Sequence, residues 1–432
     1  MSKLALLGGN PVREASIPWV NTMGSEETEA VLAVMNSGCL SAYYGRAGDK
    51  FLGGPKVLEM EQVFAQKFGS RFAISVNSAT TALHTAIAAC GIGPGDEVLV
   101  TPYSMVASAT AIVMNNAVPV FVDIDPITYN LDPTQIERWI TPNTKAIMVA
   151  NIFGLPAALN EIITIARKHG LFVIEDNAQG PGATINGKFA GTFGDIGVFS
   201  LNYHKVIHSG EGGLLLTDNE ELARNCQLVR NHGEAVVDDL NDYETVVLGS
   251  NYRMTELHAA IGIEQLKKLD HFLVERRRLA QQFTSGLNQF TGLKGVVVPD
   301  GYEHSYYIYP IQYNKEDWGI SRSTFAQAMN AEGYPLGIGY VKPIYLIPMY
   351  QHKKVYNQTQ YPFSLIEKPT QDYQKGLCPV TEAMYEEKVV IADVCRLPYK
   401  ESDIDDALEA IQKIWMERGK LLEYEAYTVS RT

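Results

Sequence analysis

Short hydrophobic runs alternate with longer helical patterns along the chain from about Phe72 onward. The runs are rich in β-branched residues, which favour strands, and the stretches between them repeat apolar residues at helical spacing. The strand-like runs include "FAISV", "EVLV", "VPVFVDI", "TKAIMVA", "LFVIED" and "IGVFS", and "TTALHTAIAAC" is typical of the helices between them. Nearly continuous hydrophobic strands that alternate with helices predict an α/β fold with a mainly parallel sheet between helices.

The pattern changes after a long helical stretch. Residues 256–287 combine a helical apolar repeat with many charges, as expected of a helix that connects two domains. Beyond it, "SYYIYPIQY", "STFAQAMNAEG" and "IDDALEAIQKIWMERG" mix strand and helix patterns. We therefore expect an N-terminal arm and a large α/β domain over residues 1–287, and a smaller C-terminal α+β domain over residues 288–432.

Composition and charge exclude several classes of protein. The 432 residues are 46% hydrophobic, and 36 Lys+Arg stand against 49 Asp+Glu, for a formal net charge of −13. Because no long basic run occurs, nucleic acid and anionic membranes are not expected as partners.

The N-terminal apolar run "LALL" is too short for a signal peptide, and no later run is as long as a membrane span, so we expect a soluble cytoplasmic protein. Five scattered cysteines without C-x-x-C spacing indicate reduced thiols.

Three groups that carry chemistry follow different strands. Asp176 ends "LFVIED", at the carboxyl end of a predicted parallel strand, where α/β sheets bind ligands. In "VNSATTAL", Ser78, Ala79 and Thr80 lie where a strand gives way to a helix, whose first N–H groups can bind a phosphate. Lys205 precedes "GEGG", whose glycines permit a turn close to a ligand. Each feature has an ordinary alternative, namely a turn aspartate, a helix cap and a solvent-exposed lysine.

Together the three groups match the requirements of pyridoxal 5′-phosphate. The helix start anchors the phosphate, the carboxylate keeps the pyridine nitrogen protonated, and the lysine forms the Schiff base.

Other cofactor classes fit less well. His204 and His208 stand four residues apart without an evident third metal ligand, and "GIGPG" precedes a strand, whereas a dinucleotide-binding loop follows one. We therefore expect neither a metal nor a dinucleotide.

The chain resembles the DegT/StrS family of pyridoxal-phosphate sugar aminotransferases along nearly its whole length. The resemblance rests on the order and spacing of "GGPKVLEMEQVFAQKFG", "SATTALH", "GIGPGDEVLV", "PVFVDID", "VIEDNAQGPGA", "GDIGVFS", "GEGG" and "GSNYRMTELHAAIG". It implies the type I fold of pyridoxal-phosphate enzymes, in a homodimer with shared active sites. It also implies transfer of an amino group from glutamate or glutamine to a nucleotide-linked keto sugar or a keto cyclitol. The stretches "LALLGGNPVR" and "GSNYRMTE" are most similar to the scyllo-inosose aminotransferases and the aminohydroxybenzoate synthases.

The resemblance also implies roles for individual residues. Lys205 corresponds to the Schiff-base lysine, and Asp176 to the partner of the pyridine nitrogen. Gln179 corresponds to the residue that hydrogen-bonds the ring hydroxyl. The residues that correspond to phosphate ligands are Ser200, Ala79, Thr80 and, from the neighbouring subunit, Asn251.

Ring stacking and substrate contacts complete the expected site. Family members often stack an aromatic residue on the cofactor ring, and here "TPYSMVASA" offers Met105, with Tyr103 two residues earlier. A thioether can pack on an aromatic ring, although methionine is more often part of a core, so we expect Met105 in this place. His232, in "RNHGE", corresponds to a histidine near the site and is a candidate for substrate binding. Tyr345 is a second candidate, in "YVKPIYLIPMY", where pockets for nucleotide-linked sugars and free cyclitols would differ.

Two alternatives remain open at this point. One is a sugar dehydratase of the same fold, in which a histidine replaces the Schiff-base lysine; Lys205 argues against it, and His204 is displaced by one position. The other is a regulatory protein that binds the cofactor or a sugar without turnover. The intact combination of lysine, carboxylate and phosphate site disfavours this alternative without excluding it.

Overall fold

The computed structural model describes residues 3–15, 17–45, 48–233, 247–356 and 359–429. Its helices are α1 (Ser25–Ser37), α2 (Pro55–Phe68), α3 (Ala79–Ala89), α4 (Ala107–Met114), α5 (Leu159–His169), α6 (Glu220–Arg230), α7 (Glu256–Leu287), α8 (Lys315–Trp318), α9 (Arg322–Ala331), α10 (Pro348–Gln351), α11 (Pro379–Ala383) and α12 (Glu401–Val429). Its strands are β1 (Phe72–Val76), β2 (Glu97–Val100), β3 (Val118–Phe121), β4 (Thr144–Ala150), β5 (Phe172–Asp176), β6 (Thr184–Ile185), β7 (Lys188–Phe189), β8 (Ile196–Ser200), β9 (Gly213–Thr217), β10 (Leu293–Lys294), β11 (Tyr302–Glu303), β12 (Tyr309–Tyr313), β13 (Gly337–Ile338) and β14 (Val389–Ala392). Short 3₁₀ helices lie at Ala5–Leu7, Asp49–Phe51, Pro133–Gln135, Glu137–Trp139, Ile152–Gly154, Ile344–Leu346 and Phe363–Leu365, and Met384–Lys388 forms a π-helix.

The central sheet has the strand order β1-β9-β8-β5-β4-β2-β3. Neighbouring strands from β8 to β3 in this order run parallel to each other. In contrast, β9 runs antiparallel to both of its neighbours, β1 and β8. The mainly parallel α/β fold expected from the hydrophobic runs is therefore confirmed.

Helices cover both faces of the sheet. Successive strand residues face opposite sides, so Val98 and Val100 pack in a core with α3, α4 and α6, whereas Leu99 packs in a core with α5. On the same side as α5, α2 and α7 pack against Phe199 and Leu214. Burial on both faces is the reason why these strands are nearly continuous hydrophobic runs in the sequence.

The register of the sheet brings several strand ends to one edge. Asp176, the last residue of β5, lies beside Ala150, the last residue of β4. Gly213, the first residue of β9, pairs with Ser200 at the end of β8 and with Val76 at the end of β1. Since α3 begins three residues after Val76, the pairing places the start of α3, the end of β8 and the end of β5 close together.

The C-terminal part of the chain has a separate core. Its sheet has the order β10-β12-β14-β13 and packs with α9 and α12. The long helix α7 joins the two cores, because Leu266 is buried with the large domain whereas Leu279 and Phe283 are buried with the small one.

Two segments pack across the expected domain boundary. Leu4 is buried in the core of the C-terminal domain, and the N–H groups of Ala5 and Val12 donate to the carboxylate of Glu332 (2.9 and 3.0 Å). In the other direction, buried side chains of residues 344–378 join the core that α3 and α4 form with the sheet. Both segments bury their apolar side chains on a domain that is distant in sequence, which a linear pattern does not reveal.

Within the described ranges, no helix is both long enough and apolar enough to cross a membrane.

Candidate active site

A cavity lies at the edge of the sheet where β4, β5 and β8 end and α3 begins. It contains about 680 Å³ of empty space, its open mouth included. The residues expected to bind the cofactor within one subunit all line it: Lys205, Asp176, Gln179, Ser200, Ala79, Thr80 and Met105. The fold therefore brings together side chains from segments that are far apart in sequence.

The start of α3 provides a cradle for an anion. Ser78 caps the helix, and its Oγ accepts a hydrogen bond from the N–H of Thr81 (3.2 Å). The N–H groups of Ala79 and Thr80 belong to the first helical turn, where no carbonyl of the helix can accept from them. Gly213 packs against this turn so closely that an added Cβ would lie 2.6 Å from the Ser78 oxygen. Strand β9 and the helix start thus form one continuous wall.

Asp176 lies at the base of the cavity. The Oγ of Ser108 donates to its Oδ2 (2.7 Å), and the N–H of Ala178 donates to its Oδ1 (3.3 Å). Burial raises the pKa of Asp176, while the two hydrogen bonds and the charge of Lys205 act in the opposite direction. Among the described residues, Asp176 forms no ion pair. The site therefore holds a buried carboxylate that can accept a hydrogen bond from a cation.

The side-chain amide of Gln179 is held in place from two sides. The N–H of Phe153 donates to its Oε1 (2.7 Å), and its Nε2 donates to the hydroxyl of Tyr340 (2.8 Å). Nε2 carries two hydrogens, so one N–H remains for a ligand.

Lys205 lies in the loop between β8 and β9. Its backbone N–H donates to the backbone carbonyl of Asn202 (2.9 Å). Gly210, with a left-handed φ of 87°, helps the chain turn back into β9. The Nζ atom lies 4.4 Å from the centre of the Tyr307 ring, a cation–π contact. Burial lowers the pKa of Lys205 to about 8, although the negative charge of Asp176 acts in the opposite direction. The amine is thus easier to deprotonate than an exposed lysine.

The structure distinguishes the two candidates for ring stacking. Met105 is 57% exposed and lines the cavity. Tyr103 is 0% exposed, donates from its hydroxyl to the Gly339 carbonyl, and packs against the ring of Phe153. Of the two side chains, Met105 is the one that can reach a molecule in the cavity.

Tyr345 does not line this cavity. It is 0% exposed, belongs to the core of the large domain, and donates a hydrogen bond from its hydroxyl to Glu382. We therefore correct the expectation that Tyr345 contacts the substrate: its hydroxyl is already bonded inside the protein.

Asn251 and His232 lie outside the cavity, on neighbouring segments of the surface. Asn251 forms a β-bridge with Asn231, the residue before His232, and the N–H of His232 donates to the Ser250 carbonyl (3.0 Å). Both Asn251 and His232 are exposed. This position leaves the expected role of Asn251 in a neighbouring subunit's site open to test.

The sequence alone did not identify several residues of the site. Ser108 donates to Asp176, Tyr307 contacts Lys205 and Asn202 lines the cavity, yet the sequence patterns assigned no role to any of the three. For Ser108, one signal was available: it is a polar residue in α4, a helix of mostly small residues.

Across the described ranges, no group of three or more histidine, cysteine, aspartate or glutamate side chains could hold a metal ion.

Comparison with known proteins gives a consistent result. A family model described as the DegT/DnrJ/EryC1/StrS aminotransferase family matches residues 21–394. The L-glutamine:2-deoxy-scyllo-inosose aminotransferase of Streptoalloteichus tenebrarius is 32% identical over 435 aligned positions, covering 97% of this chain and 99% of that protein. The GDP-perosamine synthase of Caulobacter vibrioides is 38% identical over 303 positions, covering 69% and 80%. The crystal structure of a DegT DnrJ EryC1 StrS aminotransferase from Brucella abortus is 29% identical, with a TM-score of 0.75 and coverage of 90% and 95%.

Proposed function

The chain belongs to the DegT/DnrJ/EryC1/StrS family of pyridoxal-phosphate aminotransferases, and from this premise we propose that it transfers an amino group from L-glutamate or L-glutamine to a keto sugar or a keto cyclitol. One relative is named for GDP-perosamine and another for 2-deoxy-scyllo-inosose, which supports these two acceptor classes. The product then belongs to the biosynthesis of amino sugars or aminocyclitols. A relative and a solved structure that are both named as aminotransferases favour this activity over a dehydratase or a protein without turnover.

One observation carries the proposal: a lysine, a buried carboxylate and an anion cradle converge on a single cavity. The residues present fit pyridoxal 5′-phosphate. The first-turn N–H groups of α3 and the hydroxyl of Ser200 can hold its phosphate, and the remaining N–H of Gln179 can reach its ring hydroxyl. Asn202 Oδ1 is buried and accepts no hydrogen bond from the described residues, so it offers a further acceptor at the cavity wall.

Asp176 acts on the pyridine nitrogen. A buried carboxylate without an ion pair gains stability when a protonated nitrogen donates to it, and it holds the proton there in return. Pyridoxal phosphate supplies the electron sink and carries the amino group between the two half-reactions. The protonated nitrogen is a condition of that chemistry, so Asp176 determines how strongly the ring withdraws electrons.

Lys205 moves the proton. Burial lowers the pKa of Lys205 to about 8, so more of its amine is neutral near pH 7 than in an exposed lysine. A neutral Nζ can accept a proton from the α-carbon of the amino donor, and the ring of Tyr307 at 4.4 Å restricts where the amine lies.

The active protein is a homodimer with shared sites in this proposal. Asn251 is exposed outside its own cavity, where it can complete the phosphate site of a second copy. Leu248, three residues earlier, is 92% exposed, and Leu32 and Met35 of α1 are also exposed. Contact with a second copy would remove these apolar side chains from water, which supports the proposed dimer.

The proposal is tested by separating the two half-reactions. Purified holoenzyme should lose the absorbance of the lysine-bound cofactor when L-glutamate or L-glutamine is added, and should regain it with a keto sugar or keto cyclitol. A panel of nucleotide-linked keto sugars and free keto cyclitols then identifies the acceptor.

Lys205→Ala should retain the fold and the cofactor, because the cradle and Asp176 hold the cofactor without its bond to Lys205, but multiple turnover should be lost. Normal turnover by this variant would show that Lys205 is not the catalytic amine.

A further inference from the structure

The side chain of Gln179 links the active-site cavity to the C-terminal domain. Its Oε1 accepts from the backbone N–H of Phe153 (2.7 Å), and its Nε2 donates to the hydroxyl of Tyr340 (2.8 Å), which follows β13. A backbone N–H can only donate, so the bond to Phe153 determines which end of the amide carries the oxygen. The two N–H bonds of the amide have fixed directions in its plane, so the bond to Tyr340 also directs the second N–H. Because Gln179 lines the cavity, this second N–H is the group that can meet a ligand there.

The backbone at Tyr340 is strained. Tyr340 has a left-handed φ of 63°, which is unusual for a bulky residue. Gly339 before it has a left-handed φ of 70°, and an added Cβ there would lie 2.2 Å from the Tyr385 carbonyl oxygen. A conformation of this kind costs free energy and persists only where surrounding contacts hold it. The strained turn places the Tyr340 hydroxyl at the Gln179 amide.

Contacts from both domains hold this turn. The N–H of Gly339 donates to the Val389 carbonyl (2.9 Å) in the C-terminal domain, and the Gly339 carbonyl accepts from the Tyr103 hydroxyl (2.8 Å) in the large domain. The ring of Tyr340 packs edge-on against the rings of Phe153 and Tyr103, with 4.9 and 5.7 Å between ring centres. The ring and the backbone of Tyr340 are therefore held by contacts that do not involve its hydroxyl.

We propose that Tyr340 is a positioning residue for the cofactor: its hydroxyl directs the second N–H of Gln179 onto the ring oxygen of pyridoxal 5′-phosphate, and this contact lowers the pH at which the lysine-bound cofactor loses its proton. The inference rests on the proposed function, since it takes Gln179 and Lys205 as residues that hold the cofactor. The ring oxygen carries more negative charge once the neighbouring imine nitrogen has lost its proton. A donor directed at that oxygen therefore stabilises the deprotonated form. Burial raises the pKa of the Tyr340 hydroxyl to about 12, so it remains a neutral acceptor for Gln179 at lower pH.

The test is a spectrophotometric pH titration of the holoenzyme, because the absorbance of the lysine-bound cofactor changes when its proton leaves. In Tyr340→Phe the ring contacts remain, but Gln179 loses its acceptor. The midpoint should rise by about half a pH unit to one unit, as expected for one neutral hydrogen bond. Tyr313→Phe is the matched control, because it also removes a buried hydroxyl, one that donates to the Ile320 carbonyl (2.9 Å) in the core of the C-terminal domain. It should leave the midpoint unchanged, and an equal rise in both variants would overturn the inference.

A double-mutant cycle separates action through Gln179 from a direct effect of Tyr340. Gln179→Leu removes the N–H itself and should raise the midpoint at least as far as Tyr340→Phe does. Adding Tyr340→Phe to Gln179→Leu should then cause no further shift. Additive shifts, or an unchanged midpoint in either single variant, would show that the inference is wrong while the proposed function stands. If wild-type holoenzyme shows no absorbance of a lysine-bound cofactor, the proposed function fails and the inference fails with it.

Cofactor affinity gives a second readout that needs no variant of Gln179. Apoprotein of the wild type and of Tyr340→Phe is titrated with pyridoxal 5′-phosphate and with its 3-deoxy analogue, which lacks the ring hydroxyl. Tyr340→Phe should bind pyridoxal 5′-phosphate about 2- to 10-fold more weakly than the wild type, whereas both proteins should bind the analogue equally well. A loss of the same size for both ligands would mean that the hydroxyl of Tyr340 does not act on the ring oxygen, and the inference would be wrong.

Discussion

The charge on Asp176 can be removed without changing the shape of the side chain. We predict that Asp176→Asn lowers the rate of the donor half-reaction by about 10- to 100-fold, because a neutral amide cannot pair with a protonated pyridine nitrogen. The apoprotein should be at least as stable as the wild type, since burial of the Asp176 carboxylate raises its pKa and is unfavourable. Single-turnover absorbance and thermal denaturation measure the two effects.

Ser108→Ala is the matched control for this residue. It removes the hydroxyl that donates to Asp176 Oδ2 but keeps the carboxylate. The half-reaction should slow by much less than in Asp176→Asn. Equal losses in both variants would mean that the hydrogen-bond geometry, rather than the charge, controls the rate.

The lowered pKa of Lys205 predicts the pH dependence of cofactor uptake by the apoprotein. Only the neutral amine attacks the cofactor's aldehyde, so the rate should rise with pH, with a midpoint near the pKa of about 8, and level off above it. In Asp176→Asn the midpoint should move lower, because the Asp176 charge raises the pKa of Lys205. Stopped-flow absorbance across the pH range checks both. A midpoint near the 10.5 of an ordinary lysine would contradict the effect of burial.

At the scale of elements, the contact between β9 and α3 shapes the anion cradle. A Cβ on Gly213 would lie 2.6 Å from the Ser78 oxygen and 2.7 Å from the Ala79 nitrogen. We predict that Gly213→Ala destabilises the protein by about 1–3 kcal/mol, as overpacking does, and also weakens cofactor binding. Urea denaturation of the apoprotein and titration with pyridoxal phosphate measure the two effects separately.

Gly419→Ala is the control for this prediction. Gly419 lies within α12, and no atom comes within 4 Å of an added Cβ. Because alanine is the better helix former, this variant should be slightly more stable and bind the cofactor as the wild type does. If Gly213→Ala behaved in the same way, the close approach of β9 would have no part in the cradle.

At the scale of the whole molecule, the proposed dimer predicts complementation between two inactive variants. Lys205→Ala removes the amine, and Asn251→Asp places a carboxylate against the phosphate of the partner's site, a like-charge contact. In a mixed dimer both lesions fall into one site, so the other site contains Lys205 and Asn251 intact. Subunit exchange should therefore restore up to half of the wild-type activity per mixed dimer.

Differential tagging confirms that exchange has taken place. Purified mixed dimers without activity would show that Asn251 does not act across the interface. A sample that remains monomeric while fully active would contradict the shared site altogether.

The sequence by itself determined the features that depend on local pattern and on recognisable motifs. Buried strands between helices produce continuous hydrophobic runs, so the parallel sheet could be predicted from those runs. Lys205, Asp176, Ala79 and Thr80 follow strands that end at one edge, and parallel topology brings such ends together. The motifs around them identified the family before any contact was known.

The tertiary structure alone decided which side chains line the cavities. Tyr345 is a core residue and Met105 lines the site, yet the local sequence around neither residue shows which of them is buried. Arg276 lies on a charged helix, where a linear pattern indicates a solvated face, but it is buried and donates to the carbonyls of Tyr306 and Cys395 in the C-terminal part of the chain. The physical reason is that burial and pairing of a side chain depend on segments far away in sequence, which helical or strand periodicity does not encode.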